Sequence, residues 1–551
     1  MSAPGGRRVG ATVAGAAVLI TVVTLASRVV GFGRWLAQAR FVGTDGVDAP
    51  LNAANLLPNV LFEIAAGGAL TGAVVPLLSG FLVRGDRPNA SRTASALLGW
   101  TVVVLVPVAG LMALLADPLA EHVLRLHDPV NVAVAADFLR VFAVQVPLYG
   151  LAVVLGGILQ AHHRFFWPAF APLVSSLVVI GVYARFGTLA DGNQQDVAEL
   201  TSQALGWLAW GMTAGVAFLA LPLVVPVART GLRIRPTLRF PDGEGRRAAR
   251  LASAGIGALV AQQLALLATM ASANEAGGDG TWTIFLYAQN VYFLPYAVLA
   301  FPIATSAFPR FSALASEGRG DELARLVSST TRVLVVVSAA GAAALVAAAP
   351  LVENVFAGVA DGDADGLAAA LAWMAPGLLG YALILQLSRL LYAVGAARAA
   401  WISTAAGWAV VAVGVGLAVP VFAGGVDVET AVLAWLGGAT TVGMTVAGAA
   451  LLLAVRRRVG APALDGVLRT GAVTVAAAAV GALAGRWALP VADRGAGDDA
   501  ALDAGWIAAD VGWGLLAGLL AAAVVLVVAA ATDPAVRSRA AGVGGRLLRR
   551  R

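Results

Sequence analysis

The sequence predicts an all-α polytopic membrane protein of about fourteen transmembrane helices: two six-helix lobes in parallel pseudo-repeat around a central cavity, plus two extra C-terminal helices. Three observations carry this. Apolar residues make up 59% of the 551 residues and charged residues only 12%, about half the charged share of a soluble domain. Apolar runs of twenty or more residues recur along the whole length, and mean hydropathy is +0.84; helices that satisfy their own backbone groups in lipid need such runs. Arginines collect in alternate loops, as orientation signals do. A transmembrane barrel would show short alternating segments instead.

The chain has no cysteine, which excludes disulfides, thiolate metal sites and cysteine nucleophiles. It has no lysine either, so all 37 basic residues are arginine. The net charge of +6 reflects loop arginines that set orientation, not nucleic-acid binding. There is no Walker A run, G-x-S-x-G elbow or H-E-x-x-H pair. Transport would be passive or ion-coupled, with no cofactor beyond a coupling ion or the membrane potential. Asp361-Gly362-Asp363-Ala364-Asp365-Gly366 opens like a calcium loop, but its twelfth position is Ala372 rather than glutamate, so it reads as a solvated outer loop. His162-His163 reads as an interfacial pair, and the Asn89-Ala90-Ser91 sequon falls in a cytoplasmic loop.

Arg7 and Arg8 precede an apolar run that passes Arg28 with no small-residue cleavage site after a short core, so the first span reads as an uncleaved helix. Spans are expected near 12–41, 49–83, 92–116, 130–160, 165–187, 200–228, 248–273, 281–308, 322–349, 367–394, 397–423, 428–455, 467–490 and 505–532. The loop after span two carries Arg84, Arg87 and Arg92; the loop after span six carries Arg229, Arg233, Arg235, Arg239, Arg246, Arg247 and Arg250; Arg456-Arg457-Arg458 follow span twelve, and the tail ends Arg549-Arg550-Arg551. The intervening loops are acidic or neutral. By the positive-inside rule both termini are cytoplasmic and the span number is even.

A weak internal repeat supports the two lobes. Val75-Pro76-Leu77-Leu78-Ser79 resembles Phe308-Pro309-Arg310-Phe311-Ser312 at an offset of 233 residues, and Leu159-Gln160-Ala161 resembles Leu391-Tyr392-Ala393 at 232. Both matches lie six spans apart, so the repeat is parallel. The expected division is 1–235 for helices one to six, 236–460 for helices seven to twelve, 461–532 for helices thirteen and fourteen, and 533–551 for a basic cytoplasmic tail.

The first span carries Arg28, Arg34 and Arg40. A cation at membrane depth costs at least about 2.5–3.5 kcal/mol on insertion scales and is kept where it faces water, a partner or a charged ligand. Arginine suits phosphate because its planar fork donates two parallel hydrogen bonds and stays charged. Arg28 and Arg34 are six residues apart, roughly 600° around a regular helix, so a bend at Gly31 and Gly33 is needed to turn both into one cavity. Asn52, Asn55, Asn59 and Glu63 form one polar stripe on span two, facing either a cavity or a neighbouring helix. Glu63 is the expected countercharge for an arginine of span one. Arg140 and Gln145, Gln262 and Gln263, Gln289 and Asn290, and Gln386 and Arg389 are further buried polar candidates within spans. Pro147, Pro295 and Pro376 are expected to break their helices.

Ser27-Arg28-Val29-Val30-Gly31-Phe32-Gly33-Arg34, then Ala39-Arg40-Phe41-Val42-Gly43, Asp48-Ala49, Leu57-Pro58-Asn59, Gly68-Ala69 and Val75-Pro76 resemble the opening of the MurJ/MviN family of lipid II flippases, within the multidrug/oligosaccharidyl-lipid/polysaccharide exporter superfamily. The dense match covers residues 26–80. The resemblance implies a bacterial plasma-membrane protein whose cavity opens alternately to each side. Its cargo would be undecaprenyl-pyrophosphate-linked peptidoglycan precursor, moved from inner to outer leaflet for the cell wall and cell shape. It implies headgroup contacts for Arg28 and Arg34 and a family aspartate at Asp48; Asn55, Asn59, Glu63, Gln289, Asn290 and Arg389, polar residues within the spans, are the further substrate-binding candidates. Partners would be the lipid-linked anionic glycan, membrane lipids and cell-wall synthesis proteins, with no nucleic acid.

The chain departs from the family pattern at Trp35, Phe62, Glu63, Gly67, Gln289, Asn290 and Phe293, which makes the cavity less cationic. Asn-x-x-Asn-x-x-Pro-Asn-x-x-x-Glu resembles members from high-GC Gram-positive bacteria. The alternatives are a paralogue flipping another lipid-linked glycan, a superfamily drug or cation antiporter, which needs a titratable intramembrane acid, and a non-transporting cell-wall scaffold. No catalytic carboxylate pair is evident, so an enzyme is not expected.

Overall fold

The computed structural model describes residues 6–44, 46–64, 71–241, 243–253, 256–360, 364–425, 428–488, 504–534 and 536–537. The described chain is helical and contains no strand. Eleven helices or helix pairs among the described residues are long and apolar enough to cross a membrane. The other three expected spans fall on α1, α2 with α3, and α12, each beside or containing residues that are not described.

Chain contacts divide the protein into two compact units, Met1–Gln263 and Leu264–Arg551. In the first, the order is α1 (Gly6–Phe41), α2 (Asp48–Glu63), α3 (Thr71–Val83), α4 (Arg87–Leu114), α5 (Ala116–His122), α6 (Pro129–Phe142), α7 (Gln145–Ala161), α8 (Phe166–Ala190), α9 (Ser202–Ala220), α10 (Val224–Ala228) and α11 (Glu244–Ser253). α12 (Ile256–Gly277) contains the division. The repeat boundary read at 235/236 precedes the packing division because α11 docks back on α3, where Ala248 and Leu77 are buried beside Phe240.

Local sequence explains the helix starts. Asp86 accepts the Asn89 N–H at 3.2 Å with Pro88 in the first turn of α4. Asp128 accepts the Val130 N–H at 2.8 Å ahead of Pro129 in α6. Thr201 caps α9 through the Ala204 N–H at 3.2 Å. In each case a short polar side chain satisfies an amide that has no helical acceptor. α1 packs on α8, α8 on α9, α4 on α7 and α2 on α6. Val74, Leu78, Leu97, Val154 and Ile158 form the buried core where α3, α4 and α7 meet.

The second unit continues with α13 (Thr281–Pro295), α14 (Phe301–Ser316), α15 (Gly320–Ala360), α16 (Leu367–Met374), α17 (Leu378–Ala393), α18 (Ala397–Gly416), α19 (Ala418–Phe422), α20 (Glu429–Arg458), α21 (Val467–Trp487) and α22 (Ala504–Thr532). α20 packs against α16, α17 and α18. The approach is close because glycines line it: a Cβ on Gly407 would lie 2.7 Å from the Gly443 carbonyl oxygen, and the reverse holds at the same distance. Small residues permit such backbone contact between membrane helices. α21 and α22 pack along α15 through Ala339, Ala343, Ala347, Ala477, Ala517 and Ala521.

The three prolines mark helix interruptions as expected. Pro147 sits in the first turn of α7, just past the turn that ends α6. Pro295 precedes a π-turn at Tyr296–Ala300. Pro376 sits in a 3₁₀ turn at Ala375–Gly377. Removing an amide donor frees a carbonyl and favours these wider or tighter turns.

The repeat is visible in backbone geometry. Gly85 after α3 and Gly318 after α14 have φ of 72° and 71°. The Asp86 N–H donates to the Phe81 carbonyl at 2.9 Å, and the Arg319 N–H to the Leu314 carbonyl at 3.0 Å. His163 after α7 and Gly395 after α17 have φ of 59° and 73°. Arg164 donates to Leu159 at 2.8 Å and Ala396 to Leu391 at 2.7 Å. These left-handed helix ends recur at the offsets of the sequence matches.

Candidate functional site

The candidate site of the first unit is built on α1, α2, α7 and α8. α1 is helical without interruption through Gly31 and Gly33, so the expected unwound turn is absent. A Cβ on either glycine would meet nothing within 4 Å. Because a regular helix turns 100° per residue, Arg28 and Arg34 remain on different faces. Arg28 is exposed beside Leu25 and Val29, which are 59% and 64% exposed. Arg34 is half-buried, with its guanidinium 4.9 Å from the Trp35 ring centroid, a distance at which the cation is attracted to the ring face.

One turn beyond Arg34, Gln38 is buried and joins three helices. Its Nε2 donates to Asn52 Oδ1 at 2.9 Å, and its Oε1 accepts from the Tyr183 hydroxyl at 3.1 Å. Farther along α2, Asn59 Nδ2 donates to the Asn55 carbonyl at 2.8 Å, while Asn59 Oδ1 accepts from the Tyr149 hydroxyl at 3.0 Å. Phe62 packs on Tyr149 with ring centroids 4.5 Å apart. The α2 stripe therefore divides its work. Asn52 and Asn59 hold neighbouring helices, while Glu63 at the helix end is exposed.

Two expectations need correction. Among the described residues no ion pair joins Glu63 to Arg28 or Arg34; Arg34 lies over an aromatic ring and Arg28 on another face of α1. Arg140 is not buried: it is 42% exposed and pairs with Asp117 at 2.6 Å and Asp137 at 2.7 Å. Gln145 is buried and donates to Thr213 at 3.2 Å. Asp48 is fully buried in the first turn of α2, where a carboxylate favours the helix dipole. The preceding Gly46 has φ of 143°, and a Cβ there would lie 2.3 Å from the Gln194 carbonyl oxygen, so only glycine fits. Gly67, Gly68 and Ala69, and Asp361 to Asp363, lie outside the described residues.

In the second unit, Gln289 and Asn290 are half-buried on α13. Asn290 turns back to the Leu286 carbonyl at 2.8 Å. Gln289 lines a small cavity of about 20 Å³ with Thr269, Tyr292, Phe293, Tyr381 and Trp408. Phe293 and Tyr381 have centroids 5.2 Å apart, and Tyr296 and Tyr381 4.8 Å. An aromatic cluster thus occupies the place where the family resemblance leads one to expect charge. Arg389 donates to Thr305 Oγ1 at 3.0 Å and lies 5.8 Å from the Phe301 ring centroid. Gln386, one turn before it, is buried against Thr331 at 2.9 Å and serves to join α17 to α15.

Gln38, Tyr149 and Tyr183 are missing from the sequence-based selection. Gln38 is four residues beyond Arg34 and Tyr149 four beyond Gln145, so helical spacing could have found both. Tyr183 carries no such signal within an apolar span. Among the described residues no group of three or more His, Cys, Asp or Glu could hold a metal.

The comparisons agree with this architecture. A family described as "Lipid II flippase MurJ" matches residues 38–494, beginning just past Arg34. "Probable lipid II flippase MurJ" of Rhizobium meliloti is 29% identical over 348 residues, covering 60% of this chain and 61% of that protein. "Lipid II flippase MurJ" of Burkholderia cenocepacia is 27% identical over 353 residues, covering 61% and 65%. In both cases the match spans less than two thirds of the relative. A solved "Lipid II flippase MurJ, inward closed conformation" shares the fold at a TM-score of 0.66 and 14% identity, covering 92% of this chain and 98% of that one. An inward-facing multidrug resistance MATE transporter of the MOP superfamily gives 0.63 at 16% identity, covering 82% and 99%. The match over residues 38–494, more than half of the chain, places the chain in the lipid II flippase MurJ family.

Proposed function

We propose that the chain is a lipid II flippase that moves an undecaprenyl-pyrophosphate-linked peptidoglycan precursor from the inner to the outer leaflet by alternating access. Both termini are then cytoplasmic, as the loop arginines indicate. The observation that carries the reading beyond family membership is Arg34, a half-buried cation on an apolar helix, one turn before Gln38, whose amide bonds Asn52 and Tyr183. A cation kept at this depth offers a diphosphate charge-assisted hydrogen bonds where little water competes. Arg28, exposed on another face of α1, supplies a second cation at the surface of the first unit. Asn55 and Glu63 in the first unit, and separately Gln289, Asn290 and Arg389 in the second, are further candidate substrate contacts. Cell-wall synthesis proteins are further partners under this reading, and the driving force is a coupling ion or the membrane potential.

Depletion of the protein tests this, in cells lacking another flippase. Lipid II accumulates in the inner leaflet if the reading holds, and outer-leaflet delivery stays normal if it fails. Complementation with Arg34→Ala separates a flippase from a scaffold: a flippase loses rescue, and a scaffold keeps it.

A further inference from the structure

A cationic groove lies beside the start of α4. It encloses about 710 Å³, and Arg87, Arg92, Arg233 and Arg235 line it with Ser91 and Ser95. No acidic residue is among its lining, and among the described residues none of the four arginines makes an ion pair. Asp86, nearest in sequence, directs its carboxylate to the backbone N–H and side-chain amide of Asn89.

The groove is built rather than incidental. The Arg233 N–H donates to Ser91 Oγ at 3.1 Å and the Arg235 N–H to Ser95 Oγ at 2.9 Å. These serines are one helical turn apart and the donors two residues apart, so the two bonds hold the segment along α4. Each serine hydroxyl, having accepted an amide, keeps its own proton for a further acceptor. Trp100 Nε1 extends the seam to the Leu238 carbonyl at 3.0 Å.

Two features distinguish the ligand. Arg233, Arg235, Pro236 and Thr237 line the groove, whereas Ile234 and Leu238 stay out of the lining and are 42% and 44% exposed. The strip therefore gives its arginines to the groove and leaves the apolar side chains of Ile234 and Leu238 partly exposed beside it. Arg92 also lies eight residues before Trp100, about 12 Å along the helix, at the edge of the apolar part of α4. Tryptophans sit at headgroup level, and basic pockets between membrane helices take anionic headgroups.

We propose that this groove binds the phosphate headgroup of an anionic phospholipid, with its acyl chains against Ile234 and Leu238. The chemistry shared with a soluble phosphate is the anion; the partly exposed apolar side chains of the strip favour the lipid. In the test, dioleoylphosphatidylglycerol is titrated into the purified full chain in detergent and bound lipid is read by native mass spectrometry. The triple variant Arg92→Gln/Arg233→Gln/Arg235→Gln binds it at least tenfold more weakly, while Arg456→Gln/Arg457→Gln/Arg458→Gln on a different basic loop changes binding less than twofold. An unchanged unfolding midpoint shows that the triple variant is folded; if the midpoint drops, the single variants Arg92→Gln and Arg235→Gln replace it. Equal lipid binding by wild type and variant overturns the proposal. So does equal loss in the two triple variants, or displacement of the lipid by an equal concentration of inorganic phosphate.

Discussion

Gln38 and Asn52 join α1 to α2 by a buried hydrogen bond of 2.9 Å, fourteen residues apart in the chain. Tyr183 adds α8 by donating to the same glutamine. Gln38→Ala removes both bonds and leaves a buried amide and hydroxyl to find new partners. Hydrogen bonds between membrane helices average about 0.6 kcal/mol and reach about 1.7, so the variant loses about 1–3 kcal/mol, read as a lowered unfolding midpoint in detergent.

The repeated helix ends make a paired prediction. Gly395 has φ of 73° and His163, its counterpart, 59°. A side chain in the left-handed region costs about 1–2 kcal/mol. Gly395→Ala is therefore destabilising by about that amount in thermal unfolding, and Gly395→Asn less so. His163→Gly relieves the same strain and does not lower the midpoint.

The α18–α20 crossing depends on absent side chains. A Cβ at Gly443 would lie 2.7 Å from the Gly407 carbonyl oxygen and 2.3 Å from Val411 Cγ2. Gly443→Leu costs about 1–3 kcal/mol through overpacking, whereas Gly416→Leu, where a Cβ meets nothing within 4 Å, is close to neutral. Unfolding midpoints of the two variants check this.

Arg332 and Asp533 tie α15 to the end of α22, 3.1 Å apart with side chains 20% and 6% exposed. Thr470 of α21 donates to the same carboxylate. Breaking one partner of a buried pair costs about 3–5 kcal/mol, because the other charge is left unpaired. Asp533→Asn lowers the unfolding midpoint accordingly, and Arg332→Met/Asp533→Leu recovers much of the loss. A double-mutant cycle measures the coupling.

The helical class was legible because hydropathy and loop arginines depend on the bilayer alone. The repeat was legible at Val75–Ser79 and Leu159–Ala161, since those stretches end helices at matching places. The breaks near Pro147, Pro295 and Pro376 followed from proline chemistry. Where side chains point was less legible. Gly31 and Gly33 permit a bend, but permission is not strain, and α1 stays regular. Glu63 looked like a countercharge by composition, yet its place at the end of α2 leaves it exposed. Asn52 and Asn59 could equally have faced water or helices, and only packing against Gln38 and Tyr149 distinguishes the two. Arg140 read as buried because its neighbours are apolar; Asp117, on the short helix α5 that the sequence did not announce, explains its exposure.

The charge of Arg34 is the feature on which the proposed transport turns. In cells depleted of the wild-type protein and expressing Arg34→Gln at wild-type membrane levels, the fraction of lipid II reachable from outside is measured. With the Arg34 charge removed, this fraction falls at least tenfold while total lipid II rises. An outer-leaflet fraction equal to wild type would contradict it.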